Sequence, residues 1–250
     1  MDIIYCLEIG FCRLQVILAY GRTRKFTGSG RQAASLPIIP AIELWVAGLE
    51  NIRRMWLNYA DRISGGFMDK FFLSRDDSVL IIVDIQERLV NAMKVKDTVI
   101  NNCLHLIELA KIYKIPILLT EQYPKGLGHT VDDIKSALPV YQPIEKVSFS
   151  CCGEQGFSAQ LLKLGRKTII LTGMETHVCV LQTCVELLKG GITVHLVKDA
   201  VCSRTKETWQ TGAEFMRDAG AVISCTETVL FQLLGVAGTE EFKAISKRIR

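Results

Sequence analysis

Three residues combine a reactive side chain with a place where a fold could present it: Cys179, Asp84 and Lys146. Cys179 follows the apolar run Thr168–Thr172, the tripeptide Gly173-Met174-Glu175 and then Thr176, which opens a helical pattern. With Thr176 as N-cap, Cys179 falls at N3. Backbone N–H groups and the positive end of the helix favour a thiolate there. The plain alternative is a cysteine packed in the core, as Cys184 reads. Asp84 directly follows the apolar run SVLIIV, and a carboxylate at a buried strand end needs a partner. A helix or turn cap is its plain alternative. Lys146 stands in IEKVSFS between extended apolar residues, and a solvated lysine is the usual fate of such a residue.

Together the three make a chemical unit. A thiol nucleophile needs a base within hydrogen-bond reach, and Asp84 supplies one. Lys146 places a cation between two groups that become negative and would lower the thiol pKa. The turn Met174, Glu175 to Cys179 offers N–H donors for an oxyanion. His177 lies two residues before Cys179 and points to another side of a helix. His129, in a long loop, stays open as an alternative base. No G-x-S-x-G, G-x-G-x-x-G or G-x-x-x-x-G-K-[ST] occurs, so serine-esterase, dinucleotide and P-loop readings lack support.

The elements that must position these residues follow a regular order. Strands are expected at Ser78–Val83, Ile115–Thr120, Thr168–Thr172, Ile192–Val197 and Ala221–Cys225, with a short extended piece at Pro143–Val147. Helices are expected at Thr98–Tyr113, Gly156–Leu164, Thr176–Lys189 and Lys206–Ala219, with more towards the end. Residues 121–142 read as a long loop holding a short helix near Val131–Ala137. Alternation of apolar strands and helices predicts an α/β fold, a doubly wound parallel sheet with helices on both faces. Active sites of such sheets lie beyond the carboxyl ends of the strands. That rule selects Asp84, Glu121, Gln122, Lys146, Glu175 to Cys179, and Asp199.

Composition sets the outer bounds. The chain has 250 residues, 30 basic and 26 acidic, and 49% apolar residues. A formal charge of +4 is too weak to indicate a nucleic-acid partner. No apolar run is long enough for a transmembrane helix. Nine cysteines without a C-x-x-C pair suggest free thiols in a reducing cytoplasm. Residues 1–67 differ in composition: seven of their eight basic residues are Arg, whereas fifteen Lys and seven Arg follow from Met68. Three readings stand for this segment: an accessory arm, a targeting peptide, or an untranslated stretch with Met68 as the start. The last fits Ser64-Gly65-Gly66, whose codons can spell a purine-rich ribosome-binding sequence. Residues 68–250 then form the main domain.

The sequence resembles the isochorismatase-like cysteine hydrolases over about residues 76–235. The matching pieces are VDIQERL (83–89), LLTEQYPKGLGHT (118–130), EKVSFS (145–150), LTGMETHVCVLQTCVELLKGG (171–191) and DAVCSR (199–204). The family's Asp, Lys and Cys triad maps onto Asp84, Lys146 and Cys179. The resemblance implies a cis peptide at Met174–Glu175, a six-stranded parallel core and homo-oligomers packed through helices. Nicotinamidases of the family carry an Asp-x-His metal motif beyond the second strand. This stretch is Glu121-Gln122-Tyr123, so no catalytic metal or other cofactor is expected. The expectation is a small-molecule amidohydrolase that forms a thioester on Cys179. Gln86, Gln122, Tyr123 and Phe149 would line its pocket, while Cys151 and Cys152 read as packing residues near its edge. The alternatives are vinyl-ether or ester hydrolysis with Asp84 as acid, and a non-catalytic binding protein that keeps the fold.

Overall fold

The computed structural model describes residues 6–9, 12–15 and 68–249. These fall in two units, divided between Trp56 and Leu57. The first contains an antiparallel pair, β1 (Cys6–Ile9) and β2 (Cys12–Gln15). The expectations for residues 1–67 otherwise lie outside the described residues.

The second unit is built on six strands: β3 (Ser78–Val83), β4 (Ile117–Gln122), β5 (Ile144–Lys146), β6 (Thr168–Met174), β7 (Thr193–Cys202) and β8 (Val222–Ser224). Their spatial order is β5-β4-β3-β6-β7-β8, and every pairing is parallel. The expected doubly wound α/β sheet is therefore present. All six residues of β3 are buried, because the strand is central and covered on both faces.

Alternation along β3 sorts its side chains between two cores. Leu80 and Ile82 meet α2 (Lys96–Tyr113), α8 (Thr226–Leu234) and α9 (Glu240–Arg248). Val79, Ile81 and Val83 meet α5 (Gln155–Leu164), α6 (Leu181–Lys189) and α7 (Lys206–Asp218). Burial of each such aliphatic side chain is worth about 1.5–3 kcal/mol. Short helices α1 (Glu87–Asn91), α3 (Pro124–Leu127) and α4 (Asp132–Ala137) decorate the carboxyl edge.

Three sequence boundaries need correction. β4 ends at Gln122 rather than Thr120, because Glu121 and Gln122 pair with Glu145 and Lys146 of β5. β7 runs on to Cys202, and its last residues pair with Gly173 and Met174 across a register shift. The helix expected from Thr176 begins as a π-helical turn, Thr176–Val180, and becomes regular at Leu181.

Candidate active site

Asp84 ends β3 in a left-handed conformation, φ 50°, which aspartate tolerates better than most residues. Its carboxylate is fully buried and its two oxygens have different neighbours. Oδ1 accepts a hydrogen bond from Thr120 Oγ1 at 2.7 Å. Oδ2 lies 2.7 Å from Lys146 Nζ, and both side chains of this ion pair are inaccessible to solvent. Cys179 lies close enough to Asp84 and Lys146 for both charges to act on its thiol. The structure thus gathers Asp84, Lys146 and Cys179 from the ends of three different strands.

Lys146 is held at the end of β5, its ammonium ringed by acceptors. Besides Asp84 it donates to Gln122 Oε1 at 2.6 Å, Phe149 O at 3.1 Å and Ser148 O at 3.3 Å. Burial pulls its pKa down most strongly, but Asp84, with smaller help from Cys179 and Cys151, together outweighs it and the net shift is upward. A charged lysine is stable here because its partners replace water. Asp84 itself is raised above the usual carboxylate range by burial, although Lys146, Thr120 and Cys179 all oppose that rise.

The turn that carries Cys179 departs from the sequence expectation at its cap. The cap position is Glu175 rather than Thr176, while the peptide Met174–Glu175 is cis, as the resemblance implied. The Glu175 carbonyl accepts from the N–H groups of Val178 at 3.1 Å and Val180 at 3.2 Å. Its side chain makes no cap bond and instead accepts from Arg204 Nε at 3.2 Å. The wide turn needs close neighbours with small profiles. A Cβ at Gly173, φ +116°, would strike the Val83 carbonyl oxygen. One at Gly212 of α7 would lie 3.0 Å from the His177 Cα.

Cys179 is almost fully buried, and its thiol is pushed up to about 12. Burial is the main cause and the Asp84 carboxylate adds to it, while Lys146 only partly opposes them. The expected lowering by Lys146 is therefore outweighed, and the resting group is a thiol rather than a thiolate. Cys184 is buried and free, as its core reading required. Cys151 is also buried; its thiol donates to Thr120 Oγ1 at 3.8 Å and its N–H to Thr183 Oγ1 at 2.9 Å. Cys152 is half-buried.

The four expected pocket residues divide into two kinds. Gln86 is fully buried and its amide is consumed internally. It donates to the carbonyls of Gln122 and Gly128 and accepts from the Gln122 N–H. It clamps the loop rather than facing a ligand. Gln122 is equally committed, to Lys146 through Oε1 and to Val147 O through Nε2. Tyr123 and Phe149 are the exposed pair, each 54% accessible. Tyr123 lines a cleft of about 340 Å³ with Lys125, Val147 and Glu154, which reaches Lys146.

One contributor was not singled out from sequence. Thr120 orients Asp84 from within β4, two residues before the end of that strand. Glu121 points the other way and accepts four hydrogen bonds: from Thr130 N–H and Oγ1 and Tyr141 OH at 2.6–2.7 Å, and from His129 Nδ1 at 3.1 Å. This ties down the loop that follows β4, so His129 serves the loop and not Cys179. His177 Nδ1 lies 2.9 Å from Ser203 Oγ, again away from the thiol. Asp199 caps α8, accepting from Thr226 N–H and Oγ1. Among the described residues no cluster of three His, Cys, Asp or Glu could hold a metal ion.

Comparison with known proteins places this geometry in a family. Residues 78–228 match the model of the isochorismatase domain. Isochorismatase family protein 1A of Dictyostelium discoideum is 38% identical over 179 residues, covering 69% of this chain and 86% of that protein. The structure described as MAR1 ribonuclease from Caenorhabditis elegans is 38% identical, covers 71% of this chain and 92% of its own, and has a TM-score of 0.67. YcaC from Pseudomonas aeruginosa, described with hexane-2,5-diol and covalent acrylamide, is 25% identical over 71% of this chain and 91% of its own, with a TM-score of 0.67. The match spans more than half of the chain, and the chain belongs to the isochorismatase domain family, whose fold is that of isochorismatase-like hydrolases.

Proposed function

We propose that this protein is a cysteine-dependent hydrolase of small amides. The observation that carries the reading is the sealed Asp84–Lys146 ion pair, with the Cys179 thiol close enough for both charges to act on it. Buried charges without a task are costly, and a carboxylate between a lysine and a thiol is placed for proton transfer.

The resting thiol sets the order of events. Asp84 takes the Cys179 proton as sulfur attacks the amide carbonyl, and Lys146 offsets the charge left on sulfur. The N–H groups of Glu175 and Cys179 hold the oxyanion that forms. Collapse of the tetrahedral adduct breaks the C–N bond, and protonated Asp84 gives its proton to the leaving amine. Water, deprotonated by the same carboxylate, then cleaves the thioester and yields the acid. Acrylamide bonds covalently to nucleophiles through its alkene, so the description of the Pseudomonas aeruginosa relative with covalent acrylamide supports a reactive nucleophile in this fold.

A second reading draws on one observation: burial raises Asp84, which favours its protonated form as a general acid for vinyl-ether or ester cleavage. Cys179 would then be a bystander. Ammonia release from a panel of primary amides and ureido compounds, with Cys179→Ala in parallel, separates the two. A signal lost in the variant supports the thiol mechanism. Vinyl-ether or ester hydrolysis that survives thiol alkylation, with no ammonia from any amide, overturns it.

A further inference from the structure

A second cleft, of about 370 Å³, lies where the first turn of α2 meets the β7–α7 connection. Neither Asp84, Lys146 nor Cys179 lines it. Exposed Val95 and the Trp209 ring supply apolar surface over buried Val99 and Val201, whereas Lys94, Lys198, Arg204 and Lys206 supply cations. Trp209 is fixed as a wall: its Nε1 donates to Lys198 O at 3.2 Å, and Lys198 Nζ sits 4.8 Å from the ring centroid. The lining includes one acid, Asp199, whose Oδ1 is engaged by Thr226. Outside the lining, exposed Glu207 acts on Lys94 and Lys206, and Glu175 pairs with Arg204.

We infer that this cleft binds a small organic carboxylate with an apolar body. The apolar surface gains from covering hydrocarbon, which a bare phosphate or sulfate lacks. The cations gain from a carboxylate head, which a neutral hydrocarbon lacks; covering them with one would strip their water without return. The volume falls in the range of small-molecule sites. Arg204 also holds Glu175, the residue that opens the nucleophile turn, so an occupant drawing on Arg204 acts on that turn.

Calorimetric titration of the full chain with octanoate and with 1-octanol tests the assignment. Octanoate binds saturably, one per chain, and about tenfold or more tighter than octanol, the scale of one charge-assisted contact. Binding persists after Cys179 is alkylated, which separates this site from the proposed catalytic one. Lys198→Ala with Lys206→Ala weakens octanoate by about tenfold, whereas the pair Lys198→Arg and Lys206→Arg retains it. Absence of octanoate binding, equal binding of octanol, loss on Cys179 alkylation, or indifference to the alanine pair overturns the assignment. So does a Val95→Asp variant that breaks a self-associated form of the protein and opens a site absent from the parent, because the cleft then belongs to a second copy of the chain.

Discussion

Thr120 Oγ1 donates to Asp84 Oδ1 at 2.7 Å, and the bond leaves Oδ2 as the oxygen that faces Lys146. The Thr120 hydroxyl itself accepts from the Cys151 thiol, which turns its proton towards the carboxylate. The two strand ends thereby divide the labour of one carboxylate. One oxygen is anchored by β4, and the other is left for the ion pair.

Thr120→Val keeps the shape and removes this donor. The Thr120 bond lowers the Asp84 pKa, so its loss raises that pKa further. Asp84 must be ionised to accept the thiol proton, and the acid limb of the activity–pH profile therefore moves to higher pH. Turnover falls by about tenfold to a hundredfold at little cost in KM, as expected for one hydrogen bond to a charged group. Thr120→Ser restores both. An unmoved acid limb would show that Thr120 only packs.

The Cys179 thiol titrates near 12, well above an ordinary cysteine. Its alkylation by iodoacetamide should keep accelerating by about tenfold per pH unit through pH 9, where a free thiol begins to level off. The measurement is the rate of mass increase at Cys179 between pH 6 and 10, on a scale of about four units. A plateau near neutral pH would mean that a thiolate already exists.

Asp84→Asn leaves Lys146 buried without its counter-charge. Such a break costs about 3–5 kcal/mol. Urea unfolding should register that loss, together with complete loss of amide hydrolysis. The double variant Asp84→Asn with Lys146→Met, which keeps a residue suited to the left-handed backbone, should recover part of the stability and none of the activity. Recovery of activity would rule out a chemical role for the pair.

Glu121 links pH to the loop beyond β4. Burial acts to raise its pKa, but bonds from Tyr141, Thr130 and His129 outweigh burial and hold it below 4.5. A carboxylate depressed in this way stabilises the fold fully above its unfolded value. That contribution is lost as pH falls below 4.5 and through the folded value. Glu121→Gln should flatten the acid side of the stability curve below the ordinary glutamate range. It should also speed proteolysis within residues 123–142. An unchanged acid branch would show that other carboxylates govern it.

The sequence by itself determined the layered fold, because β3 and β6 carry the apolar stretches VLIIV and IIL, separated by helical patterns of adequate length. It also placed Asp84, Lys146 and Cys179 at strand ends, since a parallel sheet brings its carboxyl ends to one edge. Tertiary structure decided the rest. Where β4 stopped could not be read, because Glu121 and Gln122 are polar and strand-like only through pairing with β5. Without that boundary the two-residue alternation could not show that Thr120 and Gln122 serve the ion pair while Glu121 serves the loop. The width of the nucleophile turn depends on the space that Gly212 of α7 leaves beside His177, a contact far apart in sequence. The protonation of Cys179 depends on how fully the surrounding chain excludes water, and helix position and a neighbouring lysine could not reveal that. Local pattern placed the reactive groups; burial set their charge.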